Sequence, residues 1–177
     1  HDLRHRFRAI SELVARGKNQ EALEFIGAVQ TQLEERKPVR WCRPPVLDAV
    51  FSFYFRQAQQ KDIRVDAQIA LTDQLPVDEA ELAVVFSNAL ENAIRACMRL
   101  PKEQRELRCE VISYPSLMFE FSNPYAGTIL FDEMGLPVSS RQGHGIGSHS
   151  IAAFCEKHGA SYRYTAEDGR FSLRIIL

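Results

Sequence analysis

Apolar residues recur along this chain at two periods, and the change of period marks its elements. Leu3, Phe7, Ile10, Leu13 and Val14 follow helical spacing to about residue 16. Gly17-Lys18-Asn19 breaks that run, and Leu23, Phe25, Ile26, Val29 and Leu33 resume it over 20–36. Two helices with a tight turn between them predict an αα-hairpin. Two helices alone cannot bury such a stripe. Pairing two hairpins into a four-helix bundle buries it, so the pattern predicts a homodimer. Residues 38–45 are polar and carry three prolines, which suits a hinge.

Beyond the hinge, 46–60 reads as a helix rich in Phe and Tyr, and 63–71 alternates as a strand. Residues 76–98 form a second helix pattern with Asp78 and Glu79 in its first turn. Two strands, 106–114 and 117–122, make a hairpin around Pro115-Ser116. A helix over 146–158 follows, and strands 161–165 and 171–177 close the sheet around Asp168-Gly169. The expected class is α+β: a two-layer α/β sandwich, one sheet covered on one face by helices, preceded by the helical hairpin. The expected division is a dimerisation hairpin over 1–37, a hinge over 38–45 and a second domain over 46–177. Phe51, Phe53, Tyr54 and Phe55 read as core, and Trp41 as packing at the hinge.

Inside the 76–98 helix, the run VVFSNALENAIRACM (84–98) carries candidate chemistry. Leu82, Val85, Phe86, Ala89, Ala93, Ile94 and Cys97 supply the buried stripe. Asn88 and Asn92 lie four apart, so they stack one turn from each other, with Cβ atoms roughly 5–6 Å apart. An amide oxygen is a neutral, hard ligand that suits Mg²⁺, which completes its shell from waters and phosphates. Arg95 follows, where a cation can meet a phosphate oxygen. Glu91 either positions a metal-bound water or pairs with Arg95 at i+4. Taken alone, both asparagines are also compatible with a solvated helix face.

Residues 143–151 read GHGIGSHSI, with Gly143, Gly145 and Gly147 opening the next helix. A glycine-rich helix entry presents backbone N–H groups to phosphate, aided by the helix dipole. No GK[ST] follows, which excludes a Walker A loop, and the glycine spacing is not that of a Rossmann turn. By itself the run is equally a flexible loop. His144 sits in it as a candidate phosphate contact, His149 and His158 read as surface groups, and Ile146 starts the apolar pattern.

Together these segments resemble the GHKL superfamily of histidine kinases, gyrase-type ATPases and heat-shock chaperone ATPases. NALENA (88–93) resembles its N box, GHGIG (143–147) its second glycine box, and the opening HDLRH the phosphoacceptor box of histidine kinases. The three stand in the family's order, and the likeness spans essentially the whole chain. It is nearest to the short-lid kinases of Gram-positive bacteria related to quorum-sensing peptide receptors. The resemblance implies the Bergerat ATP-binding fold, with ATP and Mg²⁺ as cofactors and a response regulator as partner. It implies that Asn92 ligates Mg²⁺, Asn88 supports metal and triphosphate, and Arg95 contacts phosphate. Gly143, His144, Gly145, Ile146 and Gly147 would shape the lid end and the helix that follows. His1 would accept the γ-phosphoryl group, and Asp2 would orient or deprotonate it. One motif departs from the pattern. The first glycine box, D-x-G-x-G, is replaced by Asn123-Pro124-Tyr125-Ala126-Gly127. Asn123 stands where the adenine-reading Asp belongs, and Gly127 where its second Gly belongs. The Asn oxygen can accept from the adenine amino group, while its NH₂ needs another partner.

Composition adds limits. The 177 residues are 45% hydrophobic and 25% charged, ordinary for a globular chain, and the net charge of −1 offers no basic field for nucleic acid. Cys42, Cys97, Cys109 and Cys155 are scattered and indicate neither zinc nor a disulfide framework, which leaves a reducing cytoplasm as the default. No signal peptide and no apolar run near 18 residues appears. The chain, starting without Met, is expected to be a fragment. By resemblance the missing part is a sensor, so membrane attachment would come only through that N-terminal region.

The expected reaction is phosphoryl transfer to histidine. Neutral imidazole is the nucleophile, and a neighbouring carboxylate can take the proton from its other nitrogen. In hydrolytic relatives a Glu one turn before the metal Asn activates water. Asn88 occupies that position and cannot serve as a base. The competing readings are a non-catalytic dimeric GHKL signalling module and a hydrolytic GHKL ATPase.

Overall fold

The computed structural model describes residues 10–12, 14–24, 26–27, 39–138 and 146–177. The chain divides into two compact units, His1–Val39 and Arg40–Leu177. In the first, helical residues run to 15 and begin again at 19. Gly17 makes the turn between them with φ +73°, a left-handed conformation that favours glycine.

The second unit is built on a five-stranded sheet: β1 (Arg64–Ala70), β2 (Glu106–Ile112), β3 (Met118–Pro124), β4 (Ser161–Glu167) and β5 (Arg170–Ile176), in spatial order β1-β2-β3-β5-β4. β1 runs parallel to β2, and the other neighbours are antiparallel. Three helices accompany it: α1 (Pro45–Gln60), α2 (Glu79–Cys97) and α3 (Ile146–His158).

Period-2 alternation sorts each strand into a core face and an outer face. Cys109, Phe121 and Leu173 lie in register across β2, β3 and β5, and all three are buried. The next residues along, Glu110, Glu120 and Arg174, point the other way, and Arg174 Nε donates to Glu120 at 2.6 Å. α2 lies on the core face. Its Phe86 ring meets Phe119 at 4.7 Å and Phe121 at 5.4 Å, and Phe51 of α1 at 5.4 Å. Trp41 packs edge-on against Phe55 at 4.7 Å.

Helix starts are fixed by carboxylates. Asp78 is the N-cap of α2 rather than part of its first turn, and accepts from Ala80 N and Glu81 N. Glu79 accepts from Val46 N and Leu47 N, so a side chain of α2 satisfies the free N–H groups of α1. The aromatic run of α1 is not all core. Phe51 and Phe55, four apart, are buried, whereas Phe53 falls on the opposite side of the helix and is 60% exposed.

Candidate functional site

Asn88 and Asn92 project from the part of α2 where α3 begins. Asn88 is half-buried and Asn92 is exposed, while Ala89, Leu90, Ala93 and Ile94 around them are buried. The helical period thus turns the amides to the margin of the core. Gly147, in the first turn of α3, sits directly against both. A Cβ at Gly147 would meet Asn92 Nδ2 at 3.3 Å, Asn88 Cβ at 3.5 Å and Asn88 Cγ at 3.6 Å. Glycine is what lets the opening of α3 approach the two amides. Its free N–H groups and the helix dipole favour a negative charge at this end. Gly147 and the two amides, distant in sequence, meet in the fold.

Arg95 is exposed one turn beyond Asn92 and donates to Glu91 Oε1 at 2.6 Å. Of the two roles open to Glu91, the structure forms the i+4 pair. Such an exposed pair is held by about 0.5 kcal/mol, so an anion of higher charge can draw the guanidinium away.

Asn123 is on the core face at the end of β3, in register with Phe171, and only 2% exposed. Its Nδ2 donates to the Pro124 carbonyl at 2.9 Å. The NH₂ thereby has its partner, and among the described residues no donor meets Oδ1, leaving it as an acceptor. Gly127 follows with φ +85°, where glycine is favoured. Residues 130–138 then fold back on themselves. Asp132 accepts from Met134 N and Leu136 N, Val138 N donates to Leu130 O, and Leu136 is buried. This segment exposes Leu130, Met134 and Val138.

Gly143, His144 and Gly145 lie outside the described residues, as do the Ile146 side chain, His1 and Asp2. Among the described residues no group of three His, Cys, Asp or Glu side chains gathers to hold a metal. The side chains beside Gly147 are amides, and an amide oxygen fits a cation that takes most of its shell from phosphate and water.

Residues 77–177 match the GHKL domain family. The chain belongs to that family. No curated protein sequence matches it significantly. Solved structures share the fold of this GHKL domain at low identity. The nucleotide-free catalytic domain of histidine kinase ThkA has 14% identity and a TM-score of 0.61, over 75% of this chain and 91% of that one. A mycobacterial sensor histidine kinase, MprB, has 18% identity and a TM-score of 0.55, over 75% and 93%. The Acinetobacter baumannii histidine kinase AdeS has 14% identity and a TM-score of 0.53, over 100% and 96%. The five-stranded sheet with its helices is the fold of histidine kinase ATP-binding domains.

Two charged clusters of the GHKL domain were not legible in the sequence. Glu81 of α2 accepts from Lys157 Nζ at 2.9 Å and meets His158 Nε2 at 2.9 Å. His158 is therefore no simple surface group: its side chain is 19% exposed and its ring lies 4.7 Å from Phe154. His149 is exposed, as expected. At one end of the sheet, Glu106 is 7% exposed and bonded by Arg64 and Arg170, with Arg108 Nε at 3.2 Å. Burial pushes the Glu106 carboxyl up, but hydrogen bonds from Arg170 and Arg64 and the Arg108 charge outweigh it and hold it below the usual range. All four cysteines are free and buried, and burial pushes the Cys42 thiol up to about 12 and Cys155 to about 11. Among the described residues no helix is long and apolar enough to cross a membrane.

Proposed function

We propose that this chain is the kinase core of a two-component sensor, binding Mg-ATP and transferring the γ-phosphoryl group to His1 and then to a response regulator. The observation that carries the reading is the seat of Gly147 against Asn88 and Asn92, which brings two amide side chains to a helix N-terminus. Asn92 Oδ1 ligates the cation and Asn88 braces it. The opening turn of α3 binds the phosphates, with Gly143, His144 and Gly145 leading into it. Arg95 leaves Glu91 for a phosphate oxygen. Asn123 Oδ1 accepts from the adenine amino group, and Gly127 lets the chain turn beside it. Magnesium, when bound, neutralises charge on the triphosphate.

His1 supplies the nucleophile. A ring nitrogen of the neutral imidazole bonds to the γ-phosphorus as the bridging oxygen to the β-phosphorus leaves with ADP, and Asp2 takes the proton from the other nitrogen. Asn88 has no basic lone pair with which to activate water, which favours transfer over hydrolysis. In this reading the 1–37 hairpin dimerises and carries the acceptor, 38–45 is the hinge, 46–177 is the catalytic domain, and the protein works in the cytoplasm below a membrane-bound sensor.

Incubation with γ-labelled ATP tests the reading. Acid-labile, alkali-stable label on the protein, lost in His1→Gln, is the expected result. Label that persists in His1→Gln removes His1 from the role, and rapid phosphate release without labelled protein favours a hydrolase. One observation favours a non-catalytic signalling module instead: the departure from the first glycine box, with the Asn123 amide committed to Pro124. Absence of heat on titration with millimolar Mg-ATP supports that alternative.

A further inference from the structure

We infer that Glu81 is a positioning residue for the nucleotide site, clamping the far end of α3 so that Gly147 stays seated on Asn88 and Asn92. The inference rests on the nucleotide-binding reading above.

α2 and α3 pack on each other. At one end of that contact Gly147 lies against the amides, where an added Cβ would be 3.3 Å from Asn92 Nδ2. At the other, Glu81 receives Lys157 and His158 from the last turn of α3. Ile151, Phe154 and Cys155 fill the interval and are buried. Apolar burial is non-directional. The directional bonds to Glu81 add a constraint on roll and slide. α3 is a rigid rod, about 1.5 Å per residue, so a roll at His158 is carried to Gly147. The charges also suit the helix ends: a carboxylate in the first turn of α2 and cations in the last turn of α3.

The test compares the wild-type chain with Glu81→Gln and His158→Gln, the second retaining a donor to Glu81, by titration with Mg-ADP. Affinity should fall by about fivefold in Glu81→Gln, which loses the charge that holds Lys157 and His158, and change little in His158→Gln. In the nucleotide-free chain, amide exchange over residues 147–158 should be faster in Glu81→Gln. Wild-type binding with equal affinity in all three proteins overturns the inference and leaves the nucleotide reading intact. A wild-type chain that binds no nucleotide overturns the reading, and exchange unchanged in Glu81→Gln overturns the clamp in either case.

Discussion

Gly147 of α3 stands over Asn92 of α2 so closely that a Cβ added to it would lie 3.3 Å from Asn92 Nδ2. The atom it would press is the end of an exposed side chain, which can swing aside. Gly147→Ala therefore disturbs the site and spares the fold. Melting should be unchanged or slightly raised, by less than about 1 kcal/mol, because Ala suits a helix better than Gly. Mg-ATP affinity should fall about tenfold, or about 1.4 kcal/mol. Differential scanning calorimetry alongside calorimetric titration separates the two effects.

Asn92 is exposed on a helix whose buried stripe does not include it. Asn92→Ala should alter stability by less than about 0.5 kcal/mol. It should abolish the part of ATP affinity that depends on added magnesium. Titrations with and without the cation measure this, and an undiminished magnesium effect removes Asn92 from the metal shell.

Asn123→Ala removes the acceptor assigned to adenine while leaving the phosphate-binding turn of α3 alone. ATP binding should weaken by about tenfold, and binding of inorganic triphosphate should not change. The lost Nδ2 bond to Pro124 costs about 1 kcal/mol of stability, visible as a lower melting temperature.

Glu106 contributes to the dependence of stability on acid. Its carboxyl titrates lower in the folded chain than the ordinary glutamate value of 4.5. The ionised group thus contributes stability above that value, and the contribution is lost as pH falls through the folded pKa. Glu106→Gln should lower stability near neutrality by about 2 kcal/mol and flatten its dependence on pH below the glutamate range. Urea denaturation at a series of pH values measures both.

Much of the fold was legible because each element announces itself locally. The alternation over 63–71 is β1, the 146–158 pattern coincides with α3, and the spacing of Phe51 and Phe55 fixes the buried side of α1. Sheet order was not legible. β3 lies between β2 and β5, and its pairing of Phe121 with Leu173 joins residues far apart in sequence. Phe53 was misread because hydrophobicity alone does not say which side of a helix faces the core. At the site, the residue types of Asn88, Asn92 and Gly147 pointed to phosphate chemistry, but only folding brings Gly147 onto the amides. The ring partner of His158, its bond to Glu81 and the arginines around Glu106 depend on tertiary contact and leave no periodic trace.

A crystal structure of the chain with magnesium and a non-hydrolysable ATP analogue tests the central claim most directly. The triphosphate should lie between Asn92 and the first turn of α3, with the cation on Asn92 Oδ1 and the adenine amino group at Asn123 Oδ1. Nucleotide density elsewhere on the molecule, or none at saturating concentration, would contradict it.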